Sequence, residues 1–102
     1  MITMHPGRYL AVAYVEPLDL TQGKLADHLQ VDKSTVSRLL NEESDLTSMM
    51  AVRLSRIFDL SAEAWMEMQT QHSLNLARKA LAETVFKPVP VEQIHEQVYA
   101  VV

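Results

Sequence analysis

Between Thr21 and Asn41 the sequence calls for two short helices with a tight turn between them, a pairing that limits the available folds more than any other feature. Leu25, Ala26 and Leu29 recur at the spacing of one buried helical face. Thr21 stands where its side-chain oxygen caps that helix of about nine residues. Two or three residues later Asp32 stands ready to cap a second helix running to about Asn41, with Val36, Leu39 and Leu40 turned inward. Lys33, Ser34, Ser37 and Arg38 then form its outward side. Helices joined this closely make the unit that sets its second helix in the major groove of a duplex. Such a unit needs a small residue where the helices touch, here Ala26, and apolar residues to hold their angle, here Leu25, Leu29, Val31, Val36 and Leu39. Gln30 occupies the turn position where glycine is preferred, because the backbone there takes a positive φ. A side chain in that conformation costs on the order of 1 kcal/mol, which a core can offset.

The remaining pattern is helical from Pro6 to about Ala82, without the glycine or asparagine turns that join alternating strands. Five helices are expected, and the fold class is all-α. His5 caps the first, Pro6 suits its opening turn, and Pro17 ends it near Glu16, with Leu10, Ala13 and Tyr14 inward. Thr47 caps the fourth, whose Met50, Leu54, Ile57 and Phe58 share a stripe, and Ser61 the fifth, running to Ala82. Residues 1–82 therefore read as one domain, in keeping with a chain of 102 residues and a single core. Lys87-Pro88-Val89-Pro90 interrupts the pattern, so residues 83–102 are an extension. Val91, Ile94 and Val98 favour a short helix there, while Tyr99 to Val102 suits a strand or arm equally.

Composition removes several classes of function. There are no cysteines, hence no disulfide framework, thiolate catalysis or zinc ribbon. No apolar run reaches the roughly 18 residues of a membrane span, and the N-terminus lacks a secretory signal, so a cytoplasmic protein is expected. His5, His28, His72 and His95 share no ligand spacing, so no metal is expected, and surface or capping roles suit them better. No nucleophile-elbow glycine pattern accompanies any serine, so no catalytic residue, enzymatic activity or cofactor is expected. The net charge of −4 opposes nucleic-acid binding only as an average. From Asp19 to Phe58 five basic residues (Lys24, Lys33, Arg38, Arg53, Arg56) face six acidic ones, whereas Asp59 to Val102 has three against six. Weak non-specific affinity and reliance on specific contacts are the consequence.

Gln22 to Asn41 resembles the XRE/Cro-type helix-turn-helix, and the flanking residues resemble its HigA-type antitoxin branch. The resemblance rests on His5-Pro6-Gly7, on Thr35-Val36-Ser37-Arg38-Leu39-Leu40, and on Leu46-Thr47 followed by Met50-Ala51-Val52-Arg53-Leu54. Trp65-Met66-Glu67-Met68-Gln69 completes it. In that order and spacing these segments are specific, and they cover Met4 to about Leu81. The family commonly carries an aromatic residue before the tryptophan and leucines after it, where this chain has Ala64, Met66 and Met68. The resemblance implies a five-helix, lambda-repressor-like domain that forms a homodimer, binds an inverted repeat in its own promoter, and neutralises a HigB-like toxin that cleaves messenger RNA on the ribosome.

In this motif the N-terminal half of the recognition helix enters the groove, which makes Lys33, Ser34, Ser37 and Arg38 the candidates for base edges, with Thr35 and Asn41 at the margin. Arg38 is foremost, because its planar fork can donate to guanine N7 and O6 together. Gln22, Thr47 and Ser48, at helix starts, and Asn41 are the candidates for phosphate. One recognition helix covers few base pairs, so a homodimer on near-palindromic operator DNA is expected, with half-sites about 34 Å apart. Trp65 and the methionines at 49, 50, 66 and 68 read as core or dimer contact in preference to a toxin surface. Two other readings share these residues: a stand-alone regulator without a toxin, and an interaction module that kept the fold but lost its DNA.

Overall fold

The computed structural model describes residues 4–92, so the expectations for Ile94, Val98 and Tyr99 to Val102 lie outside the described residues. Helix α1 spans Pro6–Leu10 and runs directly into a π-helical turn, Ala11–Val15. After these come α2 (Gln22–Leu29), α3 (Lys33–Leu40), α4 (Ser48–Ile57) and α5 (Ala62–Ala80), with no strand among the described residues. The all-α, five-helix expectation holds. Helix α5 stops two residues short of the expected Ala82. The first helix also differs from a plain α-helix, because the Glu16 amide reaches back to the Ala11 carbonyl at 2.9 Å, one residue further than an α-helical bond.

The helix starts obey their caps. His5 Nδ1 accepts the Gly7 amide at 2.9 Å, Thr21 Oγ1 that of Lys24 at 3.1 Å, Thr47 Oγ1 that of Met50 at 3.2 Å, and Ser61 Oγ that of Ala64 at 3.1 Å. Asp32 is a correction. It has the extended backbone of a cap, but its carboxylate accepts no amide, and α3 begins on the Asp32 carbonyl instead. Three helix ends share one device, a left-handed residue without a glycine: Asp19, Gln30 and Glu42, with φ of 52°, 58° and 59°. Each is spanned by a bond from the next amide to a carbonyl five residues back: Leu20 to Val15, Val31 to Ala26, and Glu43 to Arg38. This is the Schellman pairing, which satisfies carbonyls left open at a helix end.

One apolar cluster holds the helices together. Leu10, Leu25, Leu29, Val36, Leu39, Leu46, Met50, Ala51, Leu54, Trp65 and Met68 are all buried in it. Trp65 is its largest fully buried side chain, with the Tyr9 ring edge-on at 5.7 Å and the Tyr14 ring tilted at 6.0 Å. Tyr14 in turn stacks on Phe58 at 4.2 Å, joining the π-turn to the end of α4. Core roles for Trp65, Met50 and Met68 are thus met; Met66 is half-buried and Met49 exposed. His5, expected at the surface or as a cap, is a cap that is also buried, its ring edge-on to His72 at 5.1 Å. Beyond Asn75 the side chains of α5 are exposed, as are those of residues 81–90.

Gly7 fixes how closely α1 approaches α3. A Cβ at this position would lie 1.8 Å from the Leu39 carbonyl oxygen, which is backbone and cannot rotate aside. Gly7→Ala should therefore cost roughly 3 kcal/mol or more of folding stability in urea titration, well above an ordinary surface substitution. A second expectation concerns alkaline pH. Tyr14 donates its hydroxyl to Asp59 Oδ1 at 2.5 Å. Burial, then that bond and the Asp59 charge, push the phenol up from 10.0 to about 12. The unfolded chain gives up this proton first, so the contribution is intact below pH 10 and is lost as pH rises from 10 towards 12. Thermal melts across that window should show Tm falling, and Tyr14→Phe should flatten the fall.

Candidate nucleic-acid interface

The turn from α2 to α3 is built from both ends. Leu25, Ala26 and Leu29 bury one face of α2, and Val36 and Leu39 bury one face of α3, so the two axes are fixed by a shared core. Gln30 takes the left-handed conformation expected for the glycine it replaces. Its side chain folds back to donate from Nε2 to the Asp27 carbonyl at 2.6 Å. From α4, Arg53 Nη1 donates to the Leu29 carbonyl at 2.7 Å and the Gln30 carbonyl at 3.2 Å. A cationic donor on two carbonyls at the end of α2 answers both their open lone pairs and the negative end of the helix.

With the turn held, Lys33, Ser34 and Arg38 stand exposed along α3. Ser37 is half-buried on the same helix, and the Asn41 side-chain Nδ2 donates to its hydroxyl oxygen at 3.4 Å. Thr35 is half-buried as well. The structure gathers Thr35, Arg38 and Thr47 around one hollow of about 190 Å³, completed by Leu39, Ser44, Asp45 and Met50. Thr47 has already accepted the Met50 amide, which leaves its hydroxyl proton free to donate outward. Ser48 is exposed at the first position of α4, where the amides of the opening turn point away from the helix. It lines a different hollow with Met49, Val52 and Arg53. Gln22 is half-buried at the first position of α2, and Asn41 is exposed just past α3.

Two residues of consequence lie outside the set of site residues expected from the sequence. Arg53 gives no local signal, since its partners are 23 and 24 residues away. Gln69 does give one. It continues the buried stripe of Trp65 and Met68, and a polar side chain in an apolar register requires partners. It finds them in the α3–α4 loop and one turn along its own helix: Oε1 accepts the Leu46 amide at 2.7 Å, while Nε2 donates to Asp45 Oδ1 at 3.3 Å and Ser73 Oγ at 2.9 Å.

Comparison with known proteins agrees with this geometry. The helix-turn-helix family profile matches residues 13–65. An uncharacterized HTH-type transcriptional regulator of Escherichia coli, YbaQ, is 42% identical over 63% of this chain; the match spans 57% of that protein, under two thirds of its length. Antitoxin HigA-1 of Vibrio cholerae is 33% identical over 69% of this chain and 64% of its own. Among solved structures, the Pseudomonas aeruginosa antitoxin HigA with the higBA promoter superposes with a TM-score of 0.79 and 33% identity, covering 85% of this chain and 98% of that one.

The Arg53 contacts predict a specific loss. Arg53→Ala should remove two charge-assisted bonds and lower stability by about 1.5–3 kcal/mol, read from the urea midpoint. Arg53→Lys should recover only part of this, because a point charge replaces a planar fork.

Proposed function

The chain belongs to the helix-turn-helix family, in its HigA-type branch, and from that membership we propose that it is an antitoxin that represses its own promoter and neutralises a HigB-like toxin. The observation that carries the DNA-binding part is the row Lys33, Ser34 and Arg38, exposed on a helix whose opposite face is locked in the core. Arg38 reads guanine through N7 and O6. Lys33, Ser34 and Thr35 meet base edges at the start of α3, and Ser37 contributes from its half-buried position. Gln22, Asn41, Thr47 and Ser48 hold phosphate and set the register. That Arg38 and Thr47 share one hollow supports simultaneous contact with a base and the adjoining backbone.

A homodimer presents two such helices to half-sites one turn of the duplex apart. The Pseudomonas relative was solved with promoter DNA, which supports an operator as the partner of this chain. No helix among the described residues is long and apolar enough to cross a membrane. The reading places the protein in the cytoplasm beside its DNA and gives it no catalytic or cofactor role. The toxin contact is assigned to the acidic C-terminal half, including the extension at 83–102, whose Val85, Phe86 and Val89 side chains are exposed. A second reading, a regulator without a toxin, is favoured by the description of the Escherichia coli relative.

Titration against the DNA upstream of its own reading frame tests the first part. Arg38→Ala should weaken binding to that DNA about 5- to 150-fold, the equivalent of roughly 1–3 kcal/mol, while binding to an unrelated duplex changes little. Equal binding of wild type to both duplexes would sink sequence-specific recognition. Co-expression with the adjacent reading frame separates the two readings: a stable complex with a small basic protein is expected of an antitoxin, and failure to co-purify one favours the stand-alone regulator.

A further inference from the structure

Gln69 lies on the helix furthest along the chain from the recognition helix, yet its side chain bonds α5 to the loop that leads into α4. It is buried, its residual exposure being 6%. Its carboxamide is used at both ends. Oε1 accepts the backbone amide of Leu46, the residue before Thr47, and Nε2 donates to Asp45, the residue before that. A second Nε2 bond, to Ser73 one turn along α5, keeps the carboxamide from rotating. The two loop contacts therefore fix a backbone atom and a side chain immediately before the Thr47 cap. Leu46 is itself buried, so the loop is anchored by its apolar side chain and by this bond together.

The chemistry needs an amide at position 69. A carboxylate can accept from Leu46 but cannot donate to Asp45, and it sets two negative groups at bonding distance. An apolar side chain of similar length can do neither. Asp45 lines the hollow shared by Thr35, Arg38 and Thr47. Its bond from Gln69 therefore fixes where that carboxylate sits beside the place where phosphate is expected.

We propose that Gln69 is a positioning residue for operator binding: by clamping Leu46 and Asp45 it holds the start of α4, with the Thr47 hydroxyl and free amides, in register for a phosphate. This rests on the DNA-binding reading given above. Its consequence is a loss of operator affinity in the fully folded protein, beyond any loss of stability.

Full-length protein is titrated into the duplex upstream of its own reading frame at several salt concentrations, well below each variant's melting temperature. Gln69→Glu and Gln69→Met should weaken binding roughly five- to tenfold at about 0.15 M salt. Because the Thr47 hydroxyl and the helix amides are uncharged donors, Gln69→Met should leave the slope of log K against log salt unchanged, the loss falling on affinity. A residue that only supports the fold lowers the melting temperature without weakening binding where the variant is fully folded. Asp45→Asn closes a double-mutant cycle: added to Gln69→Glu it restores a donor–acceptor pair and should recover affinity by more than it changes the wild type. The inference is overturned if wild type binds and Arg38→Ala weakens it, yet both Gln69 variants bind as tightly as wild type, or if Asp45→Asn acts independently of position 69. If wild type shows no preference for its upstream duplex, the DNA-binding reading itself fails, an outcome distinct from the other two.

Discussion

The angle at which α3 leaves α2 depends on the backbone of Gln30. A side chain at φ 58° is held there at a cost of about 1–2 kcal/mol, because Cβ crowds the carbonyl. The conformation persists because it is over-determined. Amides of Gln30 and Val31 satisfy the carbonyls of Asp27 and Ala26, the Gln30 side chain adds its own bond to Asp27, and Arg53 grips the carbonyls of Leu29 and Gln30. Buried Leu25, Leu29, Val36 and Leu39 close the angle from within. Each bond contributes modestly, about 1 kcal/mol for a neutral pair, but together they exceed the strain. A single turn thus converts apolar burial on one side into a presented row of polar side chains on the other.

Around that turn the structure is organised in two tiers. Gly7 lets α1 rest against the Leu39 carbonyl, and the aromatic group of Tyr9, Tyr14, Phe58 and Trp65 joins α1, the π-turn, α4 and α5. The π-turn adds a residue to its loop of hydrogen bonding, which rotates the chain beyond Val15 relative to the path of a plain α-helix. On the other side of the core, Gln69 carries α5 to the loop before Thr47. Helix α5 is therefore part of the interface's support as well as of the core.

The overall negative charge is compatible with this arrangement because electrostatics near a duplex is local. With an ordinary Debye length of about 8 Å, acidic residues further than this from the face that carries Lys33 and Arg38 are largely screened from it. Asp45 lines the same hollow as Arg38, and its side chain is engaged by Gln69. Binding built this way draws on geometry more than on bulk attraction.

Local rules acting within a few residues made much of the molecule legible from the chain alone. The caps at His5, Thr21, Thr47 and Ser61, the buried stripes of α2 to α5, and the left-handed backbone at Gln30 all depend on neighbours within about five positions. Asp32 departs from its expected role because a capping residue type does not guarantee the bond when the backbone carbonyl suffices. What tertiary structure alone decided was longer in range: the seat of Gly7 on Leu39, the stacking of Tyr14 on Phe58, and the bonds from Arg53 and Gln69 to backbone some two dozen residues away. Periodicity records which side of a helix is covered but carries no term for what covers it, since that choice is made only when separate helices share one core.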